Sequence, residues 1–281
     1  MKMRLLLLAI VCIGLTDFVG LYGQATPLGP EQKKKPIYIG PVFGYNRSIH
    51  TFEIPSFADD ALCPTFENGN DNGFYAGLTM EYILGEVLDA TNSIIARITY
   101  NTLPTYTEEY TEEGGGLPSI ITDPNTGEKT EVLSQSIHTA DVSFNSIQVD
   151  VMYKFNFFGS GLGIAVGPNF GFAMAKTYEQ QLSLTDPPEA QFERADDWQQ
   201  RGFEYINDDR TIVIEDGDIP NSNAFRLGIK AGIQYEYLMG QLYVVPHAYY
   251  NFGVTQLSED NDWRVDALQI GVDVRYALNI F

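Results

Sequence analysis

The chain has 281 residues and a formal net charge of −20 at pH 7, with 37 acidic residues against 17 basic ones. Neutralising a phosphate backbone takes clustered Lys and Arg, so this composition excludes nucleic acid as a partner. Hydrophobic residues make up 44% of the chain. No segment has the roughly 18 uninterrupted apolar residues of a membrane helix.

At the N-terminus, Lys2 and Arg4 precede the apolar run Leu5–Leu15, and small residues follow at Gly23 and Ala25. That three-part layout is that of a secretory signal peptide. The run falls short of the roughly 20 apolar residues that a stable anchor needs. The expected organisation is a signal peptide over 1–25, a periplasmic tail over 26–35 that carries Lys33-Lys34-Lys35, and one domain over 36–281. Cys12 then leaves with the signal, and Cys63 alone cannot form an internal disulfide.

From residue 36 the chain repeats one unit of strict alternation followed by a turn. Successive side chains on a strand point to opposite faces, so each unit reads as a strand with one greasy face. The apolar stripes, in chain order, begin with Ile37, Ile39, Pro41, Phe43 and Tyr45. The second runs Phe74, Ala76, Leu78, Met80, Tyr82 and Leu84, and the third Ile94, Ala96, Ile98, Tyr100 and Thr102. The fourth is Ile147, Val149, Val151, Tyr153 and Phe155. The fifth alternates Leu162, Ile164, Val166, Pro168, Phe170, Phe172 and Met174 with Gly- and Ala-rich positions. The sixth holds Phe225, Leu227, Ile229, Ala231, Ile233, Tyr235 and Tyr237, and the seventh runs from Leu242 to Val254. The eighth holds Leu268, Ile270, Val272, Val274, Tyr276, Leu278 and Ile280.

None of these stripe positions carries a charge, although 19% of the chain is charged. A charge facing lipid at mid-bilayer costs roughly 2–4 kcal/mol, which accounts for the gap. The alternative is a soluble, lipocalin-like barrel with the greasy stripe inside. Eight strands enclose a space only just wide enough for side chains, and these large residues would overfill it. Tyr82, Phe155, Phe157, Tyr235, Tyr237 and Tyr276 also gather near one set of strand ends, as an interfacial girdle does. The expected fold is therefore an all-β, eight-stranded antiparallel transmembrane β-barrel of up-and-down topology.

The connections alternate in length. Those near 85–91, 157–161 and 238–241 are short, whereas 51–72, 103–138 and 176–222 are long and 257–264 is intermediate. Short periplasmic turns and long extracellular loops are the outer-membrane pattern, which places both termini in the periplasm. Within the loops, Asp123-Pro124-Asn125-Thr126-Gly127 and Asp216-Gly217 read as hairpin tips. Thr211–Ile214 reads as strand, so a loop could extend the barrel above the membrane.

The segments Gly40-Pro41-Val42-Phe43-Gly44, Gly73-Phe74-Tyr75-Ala76-Gly77, Gly161-Leu162-Gly163 and Leu268–Tyr276 resemble the PorT-like outer-membrane β-barrel family of Bacteroidota. The likeness covers nearly all of the chain after its signal. It implies an eight-stranded outer-membrane barrel, and in some members service to a secretion machinery. Barrels of this family end on an aromatic residue that the barrel-assembly machinery reads, in phase with the apolar stripe. Here Phe281 is terminal but the stripe ends at Ile280, so the expected assembly signal is Tyr276 together with Phe281.

On the inward stripes, Glu81, Asp150, Glu236 and Asp273 stand against Arg97, Lys154, Arg226, Lys230 and Arg275. They make either a charged conduction path through a narrow pore or an ion-pair network that fills the lumen. Near-balance of charge and the small diameter favour the network, since buried charges persist when paired. Open aqueous channels belong to barrels of about 16 strands.

Catalysis would need a His with Ser or Asp near the rim. The histidines are His50, His138 and His247. Ser48–His50 and Ser136–His138 are rim candidates, for which a structural hydrogen bond is the simpler reading. The run Asn68-Gly-Asn70-Asp-Asn72-Gly73 looks like half a calcium loop, but its twelfth position is Thr79 in place of Glu, and it reads as turn formers instead. The expectation is a non-enzymatic protein without cofactor or metal.

Acidity concentrates in the long loops, at Glu108, Glu109, Glu112 and Glu113 and at twelve acids between Glu179 and Asp218. Loops of this length are usually functional or disordered. The expected partners are outer-membrane lipid and lipopolysaccharide, the assembly machinery, and a protein bound at the external loops. The alternative roles are an accessory subunit of a secretion or uptake complex and a narrow-pore channel.

Overall fold

The computed structural model describes residues 37–55, 65–84, 91–110, 116–157, 160–194, 202–219, 221–258 and 262–278. The expected signal peptide, the Lys33–Lys35 tail, Cys63, Glu112, Glu113, Asp196, Asp197 and Phe281 lie outside these residues. The regular elements are strands: β1 (Ile37–Pro55), β2 (Thr65–Leu84), β3 (Asn92–Thr102), β4 (Thr105–Tyr110), β5 (Leu117–Thr122), β6 (Lys129–Asn156) and β7 (Leu162–Asp186). They continue with β8 (Glu204–Ile206), β9 (Thr211–Asp218), β10 (Phe225–Tyr235), β11 (Tyr237–Met239), β12 (Leu242–Gly253) and β13 (Arg264–Leu278).

Eight of them form a ring. Antiparallel pairing runs β6-β3-β2-β1-β13-β12-β10-β7, and β7 pairs back onto β6. Ile37 stands opposite Leu278 and Asn156 opposite Gly163, so the described ends of β1 and β13 share one end of the ring with the short β6–β7 connection. Closure leaves no strand edge unpaired, which is what allows a sheet to sit in hydrocarbon.

The alternation places its greasy stripe outside. Phe43, Phe74, Leu78, Ile98, Ile229, Ile233 and Ile270 are all more than half exposed. The opposite stripe is buried and polar, from Asn46 and Ser48 on β1 to Gln269 and Arg275 on β13. Small inward residues let the large ones lie across the lumen. A Cβ on Gly271 would come within 2.2 Å of the Tyr75 hydroxyl, so the Tyr75 side chain occupies the room a side chain there would need. The sixth stripe breaks at Glu236, whose N–H turns to Gly161 O at 2.8 Å, and the stripe resumes at Tyr237 in the short β11.

Much of the described part of the expected long loops is strand. β6 runs 28 residues and β7 runs 25, against the roughly 9–11 that cross a bilayer. Above the greasy belt the outward face turns polar while the inward face keeps alternating, so pairing continues without a lipid-facing stripe. β4 and β5 pair along β6, β9 pairs along β7, and β8 pairs with β9.

Two expected turns fall inside strands. Asn68–Gly73 belongs to β2, where Arg47 Nη1 donates to Asn72 Oδ1 at 2.9 Å and Arg47 Nη2 to Asn70 Oδ1; side-chain pairing across β1 and β2 outweighs the turn propensity of Asn. Asp216-Gly217 lies within β9. The turn is made instead by Asn207, Asp208 and Asp209 at φ 52°, 55° and 59°, residue types that tolerate the left-handed region. The tip at Asp123–Gly127 is a turn as the sequence indicates: Asp123 accepts from the N–H of Asn125 at 2.7 Å, and Gly127 takes φ 71°.

Candidate functional site

The inward residues stack in layers along the ring. Nearest the short turns, Lys154 on β6 pairs with both Glu81 on β2 and Glu236 at the end of β10. Glu81 also takes Arg275 Nη1, and Arg275 Nε donates to Asp273 Oδ2 at 3.0 Å. Asp273 Oδ2 accepts from Arg97 Nη2 at 2.8 Å. Glu236, Lys154, Glu81, Arg275, Asp273 and Arg97 thus form one unbroken chain of ion pairs across the lumen. Beside it, Lys230 Nζ reaches Asp150 Oδ2 at 2.6 Å, and Asn169 donates to Asp150 Oδ1.

Neutral groups fill the remaining space. Arg97 lies over the Tyr249 ring at 4.7 Å, and the Tyr249 hydroxyl donates to Gln234 Oε1 at 2.7 Å. His247 Nδ1 donates to Val245 O at 3.2 Å, and the Tyr75 hydroxyl bonds its Nε2 at 2.7 Å. Each of these residues is buried.

Arg226 stands apart from the other charged residues singled out in the sequence. Among the described residues no carboxylate lies within ion-pair distance of it. Its Nη2 donates to Val265 O, while its Nε and Nη1 have no hydrogen-bond partner. Its guanidinium lies 5.6 Å from the Phe144 ring.

Phe144 belongs to a cap that the sequence reading missed. Phe52, Phe66, Leu103, Phe144, Tyr178 and Trp263 pack together with further apolar residues at the end of the ring opposite the short turns. Phe52, Phe66, Leu103, Tyr178 and Trp263 sit in segments that read as loop and Phe144 just ahead of the fourth stripe, so only an alternation sought outside the charge-free stripes would have found them. His50 is built into the cap. Its Nε2 donates to Leu103 O at 3.1 Å and its Nδ1 accepts from Trp263 Nε1 at 3.0 Å, which fixes a neutral tautomer. Ser48, its rim candidate partner, turns instead to the carbonyls of Asp71 and Pro104.

Above the cap, upper β6 and β7 with β5, β8 and β9 enclose a second core. Leu182, Leu184, Ala190, Phe192 and Ile212 pack there with Val132 and Tyr205. Residues 187–194 strap across it. Phe192 N–H donates to Asp209 O at 2.8 Å, and Arg194 makes a two-pronged pair with the Asp209 carboxylate at 2.9 and 2.8 Å. The acids decorate the outside of this extension. Asp141, Glu179 and Asp216 stand directly opposite one another across β6, β7 and β9. Partial burial, and then Asp71 and Glu179, push the Asp141 carboxyl above its ordinary range. His138 is buried in the same extension with Nδ1 unpartnered, and burial lowers it to about 4.

Tyr276 points outward at the end of the ring where the described termini meet, its hydroxyl donating to Gln241 Oε1 at 3.3 Å. Among the described residues no cluster of three or more His, Cys, Asp or Glu is arranged to hold a metal ion.

A closed ring with a greasy outside and a charged, buried inside defines an integral β-barrel of the outer-membrane kind. No family model matches the sequence, and no curated protein matches it. Among solved structures the chain is similar to Neisserial surface protein A, with 12% identity and a TM-score of 0.32 over 86% of this chain and 97% of that one. Ail, the attachment invasion locus protein of Yersinia pestis, aligns at 12% identity and TM-score 0.32 over 85% and 98%. The outer membrane protease OmpT of Escherichia coli aligns at 8% identity and TM-score 0.32 over 91% and 100%.

Proposed function

We propose that this chain is an exported, non-enzymatic barrel of the outer membrane, with a closed lumen and an acidic external extension that binds a partner. The observation that carries the closed lumen is the unbroken chain from Glu236 to Arg97 beneath an apolar cap. An ion crossing this barrel would have to separate desolvated pairs and then pass Phe52, Phe144 and Trp263. In this reading both termini lie in the periplasm and the extension faces outward, because the short turns and the described termini share one end.

The non-enzymatic reading draws on the histidines. Both ring nitrogens of His50 are committed to Leu103 and Trp263, and those of His247 to Val245 and Tyr75, which leaves neither ring as a free base. A general base needs one nitrogen available to a reacting proton; His138 keeps such a nitrogen in Nδ1, but that atom is buried.

The extension is rigid enough to serve as a surface, since it has its own core and strap. Its row of like charges at Asp141, Glu179 and Asp216 works against stability, as like charges directly opposite on neighbouring strands repel. A basic partner or cation-bridged lipopolysaccharide would relieve that repulsion. The resemblance to PorT-like barrels favours one second reading, an accessory subunit of a secretion complex.

The test is mild-detergent purification from the native membrane, for the wild type and for a triple variant Asp141→Asn, Glu179→Gln, Asp216→Asn. A companion that co-purifies with the wild type and is lost from the variant supports an interaction surface. Purification of the wild type without a companion overturns it.

A further inference from the structure

The lumen does not balance. Glu81, Asp150, Glu236 and Asp273 each pair with a base, and so do Arg97, Lys154, Lys230 and Arg275. Arg226 is the remaining cation, and it is 3% exposed. Its surroundings offer a ring face and a single carbonyl, Val265 O. Asp266, next in sequence to that carbonyl's residue, acts favourably on Arg226 through its charge, but its oxygens take the Tyr250 hydroxyl at 2.7 Å and the Gly253 N–H at 2.8 Å and make no ion pair with the guanidinium. A buried charge that makes no ion pair is costly, and two N–H-bearing nitrogens without acceptors add to that cost.

We propose that Arg226 binds one small monovalent anion of the halide class, held at its unpartnered Nε and Nη1 at the boundary between the polar lumen and the apolar cap. Three observations converge on that ligand. The guanidinium is buried and aims two donor nitrogens at no acceptor among the described residues. Among the described inward residues five bases face four acids that pair with four of them, so a single negative charge balances the set. The site lies beneath the packed cap of Phe144, Val265 and Trp263, which selects a small, weakly hydrated ion over a bulky oxyanion. Water could accept the two hydrogen bonds but would supply no charge.

The proposal rests on the closed-lumen reading, yet its readouts do not involve conductance, so a silent barrel without a halide site would sink this proposal alone. Full-length protein in non-ionic detergent is unfolded thermally in bromide against gluconate at constant ionic strength. The wild type should gain about 2–4 °C, saturating with bromide. Arg226→Gln should lose that gain, and Arg226→Lys, which keeps the charge, should retain part of it. An equal bromide response in wild type and Arg226→Gln overturns the proposal. Should Arg226→Gln fail to fold, anomalous diffraction from bromide-grown wild-type crystals decides. A peak within hydrogen-bond reach of Arg226 Nε or Nη1 supports the site; ordered water or a protein carboxylate in that place refutes it.

Discussion

Arg97 on β3 and Asp273 on β13 meet at 2.8 Å inside the ring, although β2 and β1 separate them along the sheet. Asp150 stands directly opposite Arg97 in register, yet it pairs with Lys230 instead. Each pair therefore ties together strands that are not neighbours. Asp273→Ala leaves Arg97 buried without its carboxylate, and breaking one side of a buried pair typically costs about 3–5 kcal/mol. The exposed pair Arg264–Asp262, at 3.3 Å, sets the comparison, since solvent screens it and Asp262→Ala should shift the urea midpoint far less. Urea titration of the two variants in one detergent measures the difference.

Leu78 and Ile98 face each other across β2 and β3 on the outside of the barrel, 59% and 60% exposed. Leu133 on upper β6 is more exposed still, at 71%. In a soluble protein all three sites would accept Arg at little cost. In this barrel Leu78→Arg should destabilise by about 2–4 kcal/mol in lipid vesicles. Leu133→Arg should stay within about 0.5 kcal/mol. Equal effects at the two sites would contradict the placement of the belt.

His138 gives the extension a pH dependence. Its folded value, about 4, lies below the unfolded value near 6.5, so the neutral form is the one the fold favours. The unfolded chain takes up the proton first as pH falls. His138 thus contributes stability above about pH 6.5 that is lost progressively down to about pH 4. Proteolysis of the extension at pH 7.5 and pH 4.5 should show acid-induced opening in the wild type. His138→Gln should reduce the difference between the two pH values.

The ring was legible in the sequence because lipid imposes one rule on the stripe positions of the belt: none of them carries a charge. The eight spanning strands follow from it. Eight of the nine inward charges singled out in the sequence stand in ion pairs, but the pairing itself was not legible, since side-chain reach across the ring joins Arg97 to Asp273 and passes over its register neighbour Asp150. The cap and the extension were hidden for a related reason. Above the belt the outward residues become Asn70, Asn72, Asp141 and Glu179, and the change from greasy to polar looks like the end of a strand when only the outer face changes. Turn-forming types then misdirect: Asn68–Gly73 and Asp216-Gly217 lie in strands, whereas the tight turn at Asn207–Asp209 has no glycine to mark it.

The most direct measurement of the closed lumen is single-channel recording of the folded wild-type barrel in a planar bilayer. An unbroken ion-pair chain beneath the Phe52–Phe144–Trp263 cap predicts a silent bilayer in the wild type, confirmed as folded by its resistance to urea. Reproducible unitary steps from that same folded protein would contradict it.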